Sequence, residues 1–218
     1  MNAARLPPEG GVCTGALPES LLRIRQPHMR LAIWERRVPR RMTDWLKTGF
    51  FPAGGDLRCE IKPGQHPAVV LDASLMQTGA IAAPIEHRAL LWRRDVLDLI
   101  SLAQRIAPQA VLMRLRLQRL EGCGCTLFHV DGVPLRLICT YFGAGTEWLP
   151  ESAVDRACLG TGGNRSVRDW NAVRSLAPGE VAVMKGEAYP GNTGRGLVHR
   201  SPHASPAAPR ILMALDFG

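Results

Sequence analysis

A chain of 218 residues that is 46% hydrophobic and 21% charged, with a mean hydropathy of −0.03, can bury one substantial core and is too polar for a bundle of membrane helices. Its longest apolar stretches are broken by Arg or Asp well short of the roughly 20 residues a bilayer requires, so no membrane association is expected. The N-terminus has no basic region followed by an apolar one and a cleavage site, and a cytoplasmic location is expected. A formal charge of +8 would suit an acidic partner such as nucleic acid, but no helix-turn-helix, zinc-finger or aromatic-interleaved motif accompanies it, and arginine outnumbers lysine twenty-four to three.

Residues 1–20 contain Pro7-Pro8, Gly10-Gly11 and Pro18 without periodic apolar positions and are expected to form a mobile tail. A short strand around Leu31–Trp34 and a helix around Arg41–Leu46 follow. The arginines at 23, 25, 30, 36, 37, 40 and 41 read as a solvated basic face. Between residues 86 and 106 Leu90, Leu91, Val96, Leu97, Leu99, Ile100, Leu102, Ala103 and Ile106 recur at helical spacing, and Pro108 marks the end. Residues 21–108 are therefore expected to be an α/β elaboration packed on a core formed by 109–218.

That second part opens with Ala110–Leu120, whose apolar and polar residues alternate from Met113 to Gln118 as in a half-buried strand. Phe128-His129-Val130-Asp131-Gly132 comes next. In an extended segment His129 and Asp131 share a face while Val130 turns into the core. A β-rich run, Leu135–Tyr141, leads into the Gly143–Glu147 turn; residues 151–174 lack a period and are expected to form a long loop over the site. A Pro178-Gly179 turn feeds a strand at 181–184, and a second histidine, His199, stands sixty-eight residues after Asp131. Two imidazoles and one carboxylate hold a divalent first-row metal on one triangular face and leave the opposite positions open for chemistry. The last strand opens at Arg210 and runs to Phe217.

These motifs resemble those of the Fe(II)- and 2-oxoglutarate-dependent dioxygenases, in particular the phytanoyl-CoA hydroxylase-like and prolyl hydroxylase-like branches. The likeness spans about 111–217, and the whole chain also resembles uncharacterised bacterial proteins. The resemblance implies a double-stranded β-helix (jelly-roll) core, Fe(II) held by His129, Asp131 and His199, and a 2-oxoglutarate carboxylate anchored by Arg210, eleven residues beyond the distal histidine. Arginine suits that task because its planar fork matches a carboxylate with two parallel bonds. Thr140 and Tyr141 could add hydroxyl donors to the same carboxylate, although Tyr141 could equally be a core aromatic. Glu147 and Trp148 could face the substrate, as acceptor and apolar wall.

The activity so implied is hydroxylation of an unknown small molecule, protein or nucleic acid. A cupin-like protein that binds or senses a divalent metal, and a nucleic-acid-binding module built on the basic N-terminal half, are the alternatives. The six cysteines show no secreted-domain framework and are expected as free thiols; Cys123-Gly124-Cys125 could form part of a zinc-thiolate site with a distant partner.

Overall fold

The computed structural model describes residues 9–49, 56–77, 87–122, 124–161 and 163–218. In chain order the regular elements are β1 (Val12–Gly15), β2 (Leu31–Trp34), α1 (Arg40–Gly49), β3 (Asp56–Ile61), α2 (Pro67–Gln77), α3 (His87–Ile106), β4 (Met113–Leu120), β5 (Leu135–Phe142), β6 (Glu147–Trp148), β7 (Arg174–Ser175), β8 (Val181–Lys185), β9 (His199–Arg200) and β10 (Arg210–Phe217). Seven strands form a large sheet in the order β1-β2-β8-β5-β10-β4-β3, antiparallel except for β1 and β2; β7-β6-β9 form a small antiparallel sheet. The chain is thus sheet-rich with flanking helices, as its strand pattern predicts. No helix among the described residues is long and apolar enough to cross a membrane.

Strand alternation divides the large sheet into two chemical faces. Leu135, Leu137, Cys139 and Tyr141 of β5 and Ile211, Met213, Leu215 and Phe217 of β10 point to one side, where the helices cover them. Ala89, Trp92, Val96, Ile100 and Ala103 form the stripe that α3 lays on this core, and Trp92 meets Trp45 of α1 with ring centroids 6.1 Å apart. Ile138 of β5 and Leu212 of β10 point the other way, into a second apolar cluster with Leu176 and Leu197. Trp148 of the small sheet packs on this cluster, so the space between the two sheets has a greasy floor.

Several expectations need correction. The predicted mobile tail gives way to order from Glu9 onward, because Val12–Gly15 pairs with β2 as an edge strand and residues 18–25 form a 3-10 helix whose Leu21 and Ile24 are fully buried; residues 1–8 lie outside the described residues. The first half does not merely pack on the second. Its β2 hydrogen-bonds β8 and its β3 hydrogen-bonds β4, since an all-apolar run such as Leu31–Trp34 needs a sheet interior to cover both faces. Of the elements longer than four residues, β3 and α2 went unread: the six residues of β3 alternate but are few, and the apolar residues of α2 fall on every side, leaving Val69 and Met76 exposed.

The basic run is not one solvated face. Arg25 donates to the carbonyls of Arg105 and Ile106, and Arg30 pairs with Glu151. Arg36 grips Asp95 of α3 with two bonds of 2.5 and 2.9 Å, donates Nε to the Gly179 carbonyl at 2.9 Å and lies against the Trp34 ring. The same carboxylate accepts the Tyr141 hydroxyl at 2.7 Å. A helix, a strand and the turn before β8 are therefore tied at one half-buried point. Arg36→Ala is expected to cost about 3 kcal/mol, because it strands a carboxylate that is mostly withdrawn from water. Tyr141→Phe should cost about 1 kcal/mol. Exposed Arg37, Arg40 and Arg41 changed together to alanine should stay within about 0.5 kcal/mol per site, and urea denaturation midpoints at constant slope compare the three variants.

Candidate metal centre

The two histidines, seventy positions apart, meet through the backbone. His129 N–H donates to the His199 carbonyl and His199 N–H to the His129 carbonyl, each at 2.9 Å. Residues directly opposed in an antiparallel pair project to the same side, and the imidazole centroids lie 4.6 Å apart. Their neighbours Phe128 and Val198 turn the other way into a satellite cluster with Leu149, Ala153 and Val154. Val130 joins that cluster rather than the main core. The segment at 151–174 supplies much of it through three short 3-10 turns, and Asn164 accepts the Phe128 N–H at 2.9 Å, so this segment buttresses the histidine bridge from behind.

Each histidine places Nδ1 against the carbonyl oxygen two residues earlier, 2.9 Å from Leu127 and 3.1 Å from Leu197. A carbonyl only accepts, so the proton of a neutral imidazole resides on Nδ1 and Nε2 is left with its lone pair facing inward. Burial, reinforced by the neighbouring His199, holds the His129 imidazole below its usual pKa and so favours the neutral, ligating form.

Asp131 completes the set. Its Oδ2 lies 3.2 Å from His199 Nε2 and its Oδ1 3.8 Å from His129 Nε2, and the candidate ligand atoms of all three residues fall within 4.8 Å of one another. Oδ1 accepts Arg136 Nη1 at 2.6 Å, whereas Oδ2 is buried with no donor of its own. With Nδ1 protonated, His199 Nε2 faces Oδ2 as one acceptor against another, an arrangement that a cation between them would satisfy. Ligands about 2.1 Å from a common ion stand about 3 Å apart at right angles, which the observed separations approach. Burial works to raise the Asp131 carboxyl, but contact with His199 and the charge of Arg136 outweigh it and bring the carboxyl down to about 2. The residues present fit a divalent metal.

Arg136 and Asp216 are the functional neighbours that sequence reasoning missed. Arg136 holds both oxygens of Asp216, at 2.5 and 2.9 Å, while reaching Asp131 with its remaining nitrogen, and so sets the carboxylate's orientation. Their signal was a charge set between apolar neighbours in each of two strands, Leu-Arg-Leu-Ile and Leu-Asp-Phe, which register as a cross-strand pair.

Arg210 is fully buried on the same side of the sheet. It donates to the Ala144 carbonyl and Ser201 Oγ at 2.5 Å each, and reaches the hydroxyls of Thr140 and Thr146 only at 3.4 and 3.5 Å. No carboxylate among the described residues lies within ion-pair distance of it. Burial takes its pKa down to about 10, so it remains cationic at neutral pH. Gly143 admits this close approach: its φ of 86° suits glycine, and a Cβ there would collide with the Pro209 carbonyl and press on the Arg210 Cα.

The other site expectations divide. Thr140 faces Arg210, whereas Tyr141, one position on, points to the helix-covered face and bonds Asp95, so it cannot serve the same carboxylate. Glu147 is engaged by Arg200 at 2.5 Å instead of offering a free acceptor, and Trp148 packs among the inter-sheet apolar residues. A cavity of about 240 Å³ opens before the triad, lined by His129, His199, Arg116, Arg136, Arg200 and Thr146 among others. Cys125 also lines it; Cys123 lies outside the described residues. Wild-type protein is expected to bind one Mn(II) or Fe(II) per chain in anaerobic calorimetry, and His129→Ala or His199→Ala to abolish that binding while the far-ultraviolet dichroism is unchanged. Equal binding in both variants and wild type would discard the triad.

Comparison with known proteins places this geometry among distant likenesses and one family. No curated protein matches the chain. Among solved structures, a Pseudomonas putida prolyl-4-hydroxylase aligns at 11% identity over 92% of this chain and 98% of its own, with a TM-score of 0.45. A Caulobacter crescentus protein described as a member of the 2OG-Fe(II) oxygenase family aligns at 15% identity over 83% of this chain and 68% of its own, with a TM-score of 0.39. At these levels the alignments establish neither fold nor activity. Residues 15–216 match the family described as "Protein of unknown function (DUF1826)", and the chain belongs to that family.

Proposed function

We propose that the protein is an Fe(II)- and 2-oxoglutarate-dependent oxygenase with a double-stranded β-helix core. The observation that carries this reading is the pairing, between the two sheets, of a two-histidine, one-carboxylate set with a buried arginine whose hydrogen-bond acceptors among the described residues are all neutral. A buried charge without a counter-charge is costly. An anion arriving beside Arg210 relieves that cost, and a dicarboxylate whose other end chelates the metal satisfies both requirements.

In this reading His129, Asp131 and His199 hold the metal on one face through two Nε2 atoms and a carboxylate oxygen. Arg136 keeps Asp131 ionised and oriented. Arg210 receives the far carboxylate, with Thr140 and Thr146 placed to share it, and Ile138, Leu212 and Ala214 exclude water from the cavity floor. The bound group supplies oxidative decarboxylation of 2-oxoglutarate to succinate, coupled to oxygen insertion into a substrate C–H bond. The chain's own contribution is positioning and electrostatics.

A second reading, a cupin-like protein that binds or senses a metal without turnover, draws on the two short bonds that Arg210 already makes to Ala144 and Ser201. Calorimetry on the Mn(II)-loaded protein separates the two. Arg210→Ala should weaken 2-oxoglutarate binding about ten- to a hundredfold, the worth of a charge-assisted contact, with Mn(II) affinity unchanged. Arg210→Lys should recover part of the loss as a point charge. Succinate release from 2-oxoglutarate by the Fe(II) form should follow the same order. Absence of 2-oxoglutarate binding to metal-loaded wild type would put the metal-sensing reading first.

A further inference from the structure

The three arginines that line the cavity, and Arg210 buried against its Ser201 and Thr146, are not equally neutralised. Arg136 has both oxygens of Asp216 and one of Asp131; Arg200 has Glu147 at 2.5 Å and lies against the rings of Phe128 and Trp170. Arg210 has its place in the reading above. Among the described residues Arg116 of β4 has a single ion-pair contact, of 3.4 Å to Asp216 Oδ2, an oxygen that Arg136 already holds at 2.9 Å. The described residues lining the cavity include Arg116, Arg136 and Arg200; Asp216 and Asp131 compensate Arg136 and Glu147 compensates Arg200, which leaves Arg116 with a weakly held share of Asp216.

Position gives this weakly paired guanidinium a purpose. Arg116 pairs in register with Ala214 of β10, whose short side chain leaves room on the cavity floor, and Arg210 stands four residues away along the same strand. Four strand residues span about 13 Å, so the two cations are anchored well apart along the sheet. Arg116 also lines a second recess, with Arg58, Glu60, Arg114 and Asp216, on the part of the large sheet near its β3 edge. Arg116 is thus common to that recess and to the cavity that His129 and His199 line. Its side chain keeps 29% of its surface in contact with solvent, which leaves the guanidinium reachable. Burial and the charge of Arg136 both disfavour its cationic form, so an added anion would be stabilising there.

We infer that the primary substrate carries an oxyanion, a carboxylate or a phosphate, and that Arg116 is the specificity-determining residue that receives it. The word substrate rests on the oxygenase reading; the anion site does not. An oxyanion seated on Arg116 leaves the remainder of the molecule directed along the floor toward the metal centre.

The test uses the Mn(II)-loaded, 2-oxoglutarate-saturated protein, titrated calorimetrically with acetate in one arm and inorganic phosphate in the other. Wild type should bind at least one of them saturably, and the stronger arm names the headgroup. Arg116→Gln should weaken that binding about tenfold or more, Arg116→Lys by less, with Mn(II) and 2-oxoglutarate affinities unaltered. Equal anion binding in wild type and Arg116→Gln overturns the inference, as does absence of binding to wild type. Loss of 2-oxoglutarate affinity in Arg116→Gln also overturns it, by assigning Arg116 to the cosubstrate. Should wild type take no 2-oxoglutarate, the oxygenase reading fails by itself, and the same titration of the Mn(II)-only protein still decides whether Arg116 governs the anion.

Discussion

Two backbone hydrogen bonds between His129 and His199 are the constraint on which the candidate site depends. They join a segment just ahead of β5 to the strand β9 of the small sheet, and closing a loop of this length costs chain entropy that neither histidine can repay alone. The cost is met by what surrounds the bridge. Behind it Phe128 and Val198 pack with Leu149, Ala153 and Val154, and in front Leu197 joins the inter-sheet cluster. The histidines thus acquire their common direction from apolar packing on either side, and the imidazoles themselves are left free to present Nε2.

Charge in this protein is placed by the alternation of β-strands. On one face of the large sheet nearly every position is apolar and covered by helices; on the other, β10 contributes Arg210, Leu212, Ala214 and Asp216 in succession, and β5 contributes Arg136, Ile138 and Thr140. A sheet face that carries two arginines and an aspartate could not be buried under an ordinary hydrophobic layer. The small sheet covers it only in part, and the cavity occupies the remainder. Asp216 and Asp131 compensate Arg136, and the resulting chain of carboxylate, guanidinium and carboxylate connects the metal centre to the last strand. Buried pairs of this kind contribute little net stability but make one arrangement much less costly than its alternatives.

A comparable device works on the opposite face. Arg36, Asp95 and Tyr141 join the turn before β8, the long helix and β5, and burial beside Asp95 keeps the Tyr141 phenol protonated well above its ordinary range. The hydroxyl therefore acts as a donor in a structural knot. The consequence for the site is indirect: β5 is held in register from the helical side, while its other side chains address the cavity.

The local pattern of the chain determined the strands β2, β4, β5, β8 and β10 and the helix α3, because each carries either a short unbroken apolar run or apolar residues at period 2 or 3.6. It also singled out His129, Asp131, His199 and Arg210, since few residue types can ligate a metal or fork a carboxylate and their spacing was informative. It misplaced the N-terminal segment, passed over β3 and α2, and left Tyr141 open between cosubstrate and core. Those outcomes depend on partners remote in sequence: β1 exists because β2 lies beside it, and the side Tyr141 faces follows from which face of β5 the helices cover. The roles of Arg136, Asp216 and Arg116 belong to the same class. A charge in a strand reveals that it needs a partner, but only the register of β10 between β4 and β5 decides which carboxylate it meets and which guanidinium is left short of one.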